Sequence, residues 1–291
     1  IFISYLMLIS FNLYVIYNNG IKTRLPEILQ TKLKENDVNF FQKDNTQKVI
    51  LIGDSHAKAL EFNLNEEIKK KGLSLIKFGT GMYLNEFNYV NRRSNFKKEN
   101  FFEKNKKINN FLKQDQNSIV VLHHRWAWRI LETNYYNEEV FRERDNFKTT
   151  YISYYLEPIN IKTSSLKERQ QYIKEGLISQ INKIINQGHK LILVYPVPEM
   201  GVNPLRYLFQ KYTLNKNLFK SSIPIYSENY ETFKKRNKFV FEILDSVDNP
   251  NIYRVYPHKF FCDKQIKDRC IANDKNNVFY YDNDHLSIQG S

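Results

Sequence analysis

VILIGDSHAKAL, residues 49–60, sets four apolar residues directly before Gly53, then Asp54, Ser55 and His56, then a helical pattern. A short unbroken apolar run bounded by a turn signal reads as a strand buried on both faces. Four further runs have the same character, at residues 73–78, 119–122, 191–195 and 252–255. Helical spacing lies between them. Leu60, Leu64 and Ile68 recur four apart over residues 57–70. Ile173, Leu177, Ile181, Ile184 and Ile185 form one stripe over residues 166–186, followed by Gly188 as a stop, and Phe233, Val240, Leu244 and Val247 mark a helix over 233–247. Strands alternating with helices predict an α/β protein with a parallel sheet and helices on both faces. Two stretches break the alternation, at about 126–164 and 198–230. They are expected as insertions over the carboxyl edge of the sheet, where open α/β sheets carry their sites.

Composition narrows the class. The chain has 291 residues, enough for a sizeable core, and 42% hydrophobic with 15% aromatic residues argue against disorder. A mean hydropathy of −0.57 describes a mostly water-soluble body. The 44 Lys and Arg against 31 Asp and Glu give a formal charge of +13. That charge suits an anionic partner. The basic residues are spread along the chain, and no nucleic-acid-binding motif is present, so nucleic acid is not expected.

The first 17 residues, IFISYLMLISFNLYVIY, carry no charge. Two readings stand: a core helix, or the last part of a transmembrane helix. The second is preferred, with a polar linker over 18–46 and one domain over 47–291. On that reading the chain begins inside the helix. Cys262 and Cys270 lie close together with no other cysteine in the chain. They read as a local disulfide, with two free thiols as the alternative. A disulfide places the domain outside the cytoplasm. No metal site is expected from this pair, because two further ligands at suitable spacing are missing.

Ser55 stands where a strand turns into a helix, beside unpaired N–H groups. It either caps the helix or acts as a nucleophile beside an oxyanion site. At the far end, FYYDNDHLSIQGS sets Asp282 three residues before His285. A serine nucleophile needs a base, and the base needs an orienting carboxylate. The two end segments together make that set. Asp54 is a candidate for orienting the nucleophile turn or bonding within the site. His56 is open between substrate contact and an ordinary first-turn residue. Trp126 and Trp128, with Tyr135, Tyr136, Tyr154 and Tyr155, make either a sugar-stacking surface or a cover over the sheet.

These residues resemble the SGNH (GDSL-like) hydrolase superfamily. Its first block is matched by Gly53-Asp54-Ser55-His56 and its last by Asp282-x-x-His285. More narrowly, the chain is similar to the SGNH-like domain fused behind a multi-span membrane acyltransferase of the acyltransferase-3 type. The supporting features are Arg125-Trp126, Pro196-Val197-Pro198-Glu199, the paired cysteines and the hydrophobic segment in front. The resemblance implies a three-layer α/β/α sandwich on a five-stranded, mainly parallel, flavodoxin-like sheet. It implies Ser55 as nucleophile, His285 as base and Asp282 as orienter, passing an acyl group to a sugar hydroxyl. No cofactor is expected on this domain; acetyl-CoA is implied as the ultimate donor through the upstream membrane domain of the same chain. The implied acceptor is an extracytoplasmic bacterial polysaccharide or glycolipid. A membrane-anchored carbohydrate esterase and a non-catalytic glycan-binding module are the alternatives. The chain departs from the superfamily at the third block, where His123-His124-Arg125-Trp126 replaces a loop bearing an oxyanion-donating Asn. Arg125 and Trp126 are candidates for that role or for substrate binding. Gly79 and Gly81 are candidates for the second-block donor, with Gly81 favoured.

Overall fold

The computed structural model describes residues 2–17, 47–93, 97–98, 100–135, 152, 154–214 and 223–291. The expected linker over 18–46 and Tyr136 lie outside them. In chain order the described elements are α1 (Phe2–Tyr17), β1 (Lys48–Gly53), α2 (Ser55–Lys70), β2 (Ser74–Gly79), β3 (Phe87–Asn91), β4 (Lys97–Lys98), α3 (Asn100–Gln114), β5 (Ile119–His123), α4 (Trp126–Leu131), β6 (Tyr154–Pro158), α5 (Leu166–Asn186), β7 (Lys190–Val194), α6 (Pro204–Leu214), β8 (Ser227–Asn229), α7 (Tyr230–Asp245), β9 (Ile252–Val255), α8 (His258–Phe261) and β10 (Arg269–Ile271).

The five expected strands form one parallel sheet in the order β2-β1-β5-β7-β9. The order reverses at β1, so the crevice beside its carboxyl end is the switch point where open α/β sheets bind ligands. Unbroken apolar runs arise because both faces of these strands are covered. Ile50 and Ile52 join Val120, Leu122, Leu191 and Leu193 in a core with Ile173, Leu177 and Ile181 of α5 and Ile243 and Leu244 of α7. The alternate residues Val49 and Leu51 join Leu75 and Val121 against Ala57 and Ile68 of α2. Period-two side-chain alternation sends the two sets to opposite faces.

The two irregular stretches are more structured than expected. β6 leaves the first insertion and pairs antiparallel with β3, which also pairs with β4. α6 lies in the second insertion, and β8 pairs with β10. Cys262 and Cys270 are joined by a disulfide. They belong to a separate core with Val197, Met200, Phe261, Tyr280 and Leu286.

α1 is 16 residues long. At about 1.5 Å per residue it reaches about 24 Å, short of a hydrocarbon core of about 30 Å. Among the described residues no helix is long and apolar enough to cross a membrane. Its Met7, Phe11, Leu13 and Tyr14 are exposed.

Candidate active site

Gly53 ends β1 where the chain passes so close to the His123 carbonyl that a Cβ would clash with it. The next residue, Asp54, is the N-cap of α2: its Oδ1 accepts from the His56 N–H at 2.9 Å. The capping alternative for Ser55 therefore falls to its neighbour. Ser55 is the first helical residue, exposed, with its hydroxyl free for other work. The second oxygen of Asp54 accepts from the Arg125 N–H at 3.0 Å, which ties the turn after β1 to the turn after β5. Burial opposes the Asp54 charge. Nearby His124 and His56 and these two N–H groups outweigh it, and its pKa lies below the ordinary value.

His285 comes from the other end of the chain, and its Nε2 lies 2.6 Å from Ser55 Oγ. Its Nδ1 lies 2.8 Å from Asp282 Oδ2. The other Asp282 oxygen accepts from the backbone N–H of His285 at 2.8 Å and of Asp284 at 3.0 Å. The three-residue spacing thus lets one carboxylate hold both the backbone and the ring of the same histidine. Burial works against the Asp282 charge, but these donors prevail and hold its pKa well below the usual range. Burial likewise opposes protonation of His285. The bond to Asp282 and the charges of Asp284 and Asp282 overcome it, so its pKa lies above the ordinary value.

The last segment is tied down from several sides. Met200 N–H donates to the Asn283 carbonyl at 2.7 Å, and Tyr280 Oη donates to the Pro198 carbonyl at 2.9 Å. Asn63, on the helix that begins with Ser55, donates to the Ile288 carbonyl at 2.7 Å. Tyr281 stacks on the His285 ring at 5.3 Å between centroids.

A family model, described as the SGNH domain fused to AT3 domains, matches residues 27–291. The chain belongs to the SGNH domain family. A solved structure of the periplasmic domain of a lipopolysaccharide acetyltransferase from Salmonella ser. Paratyphi A is similar over 85% of this chain and 80% of that one, at a TM-score of 0.51 and 19% identity. A protein assigned as an acylhydrolase, from Bacteroides fragilis NCTC 9343, aligns over 85% of this chain and 82% of its own at 14% identity, with a TM-score of only 0.33. No curated protein matches the chain.

Within this SGNH domain the other sequence candidates take different places. Arg125 is a clamp rather than an evident oxyanion donor. Its Nε and Nη2 reach Glu199 Oε1 at 2.9 and 2.7 Å, and its Nη1 lies 2.9 Å from Asp284 Oδ2. Arg236 Nε holds the other Glu199 oxygen at 2.5 Å. Burial disfavours the Glu199 charge, but Arg236 and Arg125 more than offset it and depress its pKa. Trp126 is not at the substrate surface: it is 1% exposed, packed in the main core, and donates to the Val194 carbonyl. Gly81 lies in the cavity wall beside Ser55, and a Cβ there would strike Tyr89. Packing by itself therefore requires this glycine. His123 and His124 point to different surroundings, Nδ1 of His123 at 3.1 Å from the Val194 carbonyl and Nε2 of His124 accepting from the Tyr83 N–H at 3.3 Å; burial holds them near pKa values of about 3 and about 4. Of the expected stacking surface, Trp128, Tyr135 and Tyr155 have guanidinium groups over their rings.

The sequence reading missed Asp284. It is 4% exposed, 3.1 Å from His56 Nε2 and 3.6 Å from His285 Nδ1. Its signal was the second acid in DNDH. His56 is thereby settled as a buried partner of Asp284 rather than a substrate contact. His56, Asp284 and His285 present ligand atoms within 4.8 Å of one another. The Arg125 guanidinium on Asp284 already supplies the cation there, and His285 is spent on Ser55 and Asp282.

Proposed function

We propose that this chain is an O-acyltransferase, with acetyl as the expected group, that modifies an extracytoplasmic polysaccharide or glycolipid through an acyl-enzyme on Ser55. The observation that carries this reading is the line Asp282–His285–Ser55, joined at 2.8 and 2.6 Å from opposite ends of the chain. His285 Nε2 takes the Ser55 proton as Oγ attacks the donor's acyl carbonyl. The tetrahedral oxyanion forms at the N-terminus of α2, where free N–H groups and the helix dipole favour negative charge. Collapse expels the donor's leaving group, which takes the proton from His285. An acceptor hydroxyl then gives its proton to His285, attacks the acyl-Ser55 ester and leaves as the sugar ester, while the proton returns to Ser55. Asp282 holds the ring in the tautomer that leaves Nε2 unprotonated at the start and steadies the imidazolium between transfers.

The family's description as fused to AT3 domains supports transfer over hydrolysis, because such a partner can supply activated acyl groups. On this reading the membrane part draws on acetyl-CoA and this domain binds no cofactor. The disulfide and the periplasmic location of the similar Salmonella domain support an extracytoplasmic site, and the fusion to AT3 domains in the family's description supports attachment to a membrane part. Ser55→Ala is expected to abolish acetylation of the surface glycan and to lower acyl-ester turnover by about 10⁴–10⁶. Mass spectrometry of the glycan from cells carrying the variant checks this, and unchanged acetylation overturns it.

A further inference from the structure

A cavity of about 500 Å³ opens beside Ser55, bounded by Lys58, Thr80, Lys104 and Arg129 among others. That volume suits a sugar-sized ligand. Its two acids are already occupied. Asp54 accepts two backbone N–H groups, and Glu61 pairs with Lys77 at 3.1 Å. Lys58 lies one turn beyond Ser55 on the same helix and is exposed, as is Lys104.

Arg129 is the informative residue. Arg92, Arg125, Arg169 and Arg236 each bond a carboxylate. Arg129 instead lies over two aromatic rings, Tyr89 at 4.7 Å and Trp128 at 4.1 Å from its guanidinium carbon. Among the described residues its guanidinium has no hydrogen bond or ion pair, and its Nε is buried without a partner. Ring contacts hold a guanidinium through its faces and leave its in-plane N–H groups unspent. A guanidinium held in place with open donors, beside two ammonium groups in a concave wall, is built for an oxyanion.

We propose that this cavity is a subsite for an anionic group on the acceptor, so that the acceptor is an acidic glycan carrying a carboxylate or a phosphate. The proposal rests on the reading of Ser55 as the acyl carrier. The acid is gripped by Arg129 and met by Lys58 and Lys104, and a hydroxyl of the same or the adjoining sugar faces Ser55.

The test is calorimetric titration of the full-length Ser55→Ala protein, which needs no chemistry. The ligands are methyl glucuronide, glucose 6-phosphate and the neutral methyl glucoside. At least one charged sugar is expected to bind about tenfold or more tighter than the neutral one, as a charge-assisted contact gives. Preference for the carboxylate or the phosphate identifies the acid. Arg129→Gln in the same background should erase the difference, Arg129→Lys should keep part of it, and Lys58→Ala, at an exposed position that does not endanger folding, should reduce it. Equal affinity for charged and neutral sugars, no binding of either charged sugar, or a difference that survives Arg129→Gln overturns the proposal. Failure of Ser55 as nucleophile would appear in the glycan assay and leave these titrations readable.

Discussion

Asp284 sits behind His285, the base of the proposed mechanism, in a place that chemistry makes consequential. Its carboxylate bonds His56 and Arg125, and at 3.6 Å it also stabilises a proton on His285. On the proposed mechanism His285 must be neutral to take the Ser55 proton. Acylation should therefore rise with pH through a histidine pKa that lies above the ordinary value. Asp284→Asn removes one of the charges that raise this pKa, so the rising limb should move to lower pH. Ester turnover measured across pH would show it, and an unmoved limb would count against the role. That Ser55, Asp282 and His285 belong together was legible because a hydroxyl, an imidazole and a carboxylate form a recognisable set of residue types, and the structure joins them. Asp284 was not, because two acids precede His285 in DNDH and only the folded turn shows how each is used.

At the scale of elements, the loop after β7 ties the parts of the site together. Glu199 joins the start of α4, through Arg125, to α7, through Arg236, and is only 8% exposed. Breaking a buried pair strands the remaining charges, at a cost of about 3–5 kcal/mol. Glu199→Gln should lower the urea midpoint accordingly, and a shift below about 1 kcal/mol would show that the clamp relaxes at little cost. The disulfide closes a short loop whose core includes Tyr280 and Leu286, on either side of the Asp282–His285 segment. Cys262→Ser with Cys270→Ser should cost about 2–3 kcal/mol and blunt turnover by loosening the His285 segment. Thermal melts and ester kinetics on the double variant check both. The five sheet strands and the helices α2, α5 and α7 were readable because burial on a fixed period writes itself into the chain. β3 was not. FNYVN mixes polar and apolar residues, and its pairing partner β6 lies more than 60 residues away.

Across the whole molecule, acid should unfold this protein early. Burial holds His123 near a pKa of about 3 and His124 and His258 near about 4. In the unfolded chain these groups take up protons below about pH 6.5, while the folded chain resists, so stability falls as pH drops through that range. Asp54, Glu199 and Asp282, all held low by their partners, add to the loss at lower pH. His285 alone among these works the other way: its raised pKa stabilises the fold below the ordinary histidine value, and that contribution is lost as pH rises through its folded pKa. Urea midpoints from about pH 7 down to about pH 4 should decline steadily, and a flat series would contradict the buried-neutral histidines. By itself the sequence determined the parallel α/β sheet, because both-face burial and helical stripes are local patterns. It also determined the three residue types of the site and the cysteine pair. Only the tertiary structure decided that Asp54 rather than Ser55 caps the helix, that Trp126 is core, that Arg125 is a clamp, and that Arg129 is left with open donors beside Ser55. The cap is local, but only the folded backbone shows which of two neighbouring side chains makes it. The other outcomes depend on partners distant in the chain, Val194 for Trp126, Glu199 and Asp284 for Arg125 and Tyr89 for Arg129, and a chain read residue by residue carries no record of who meets whom.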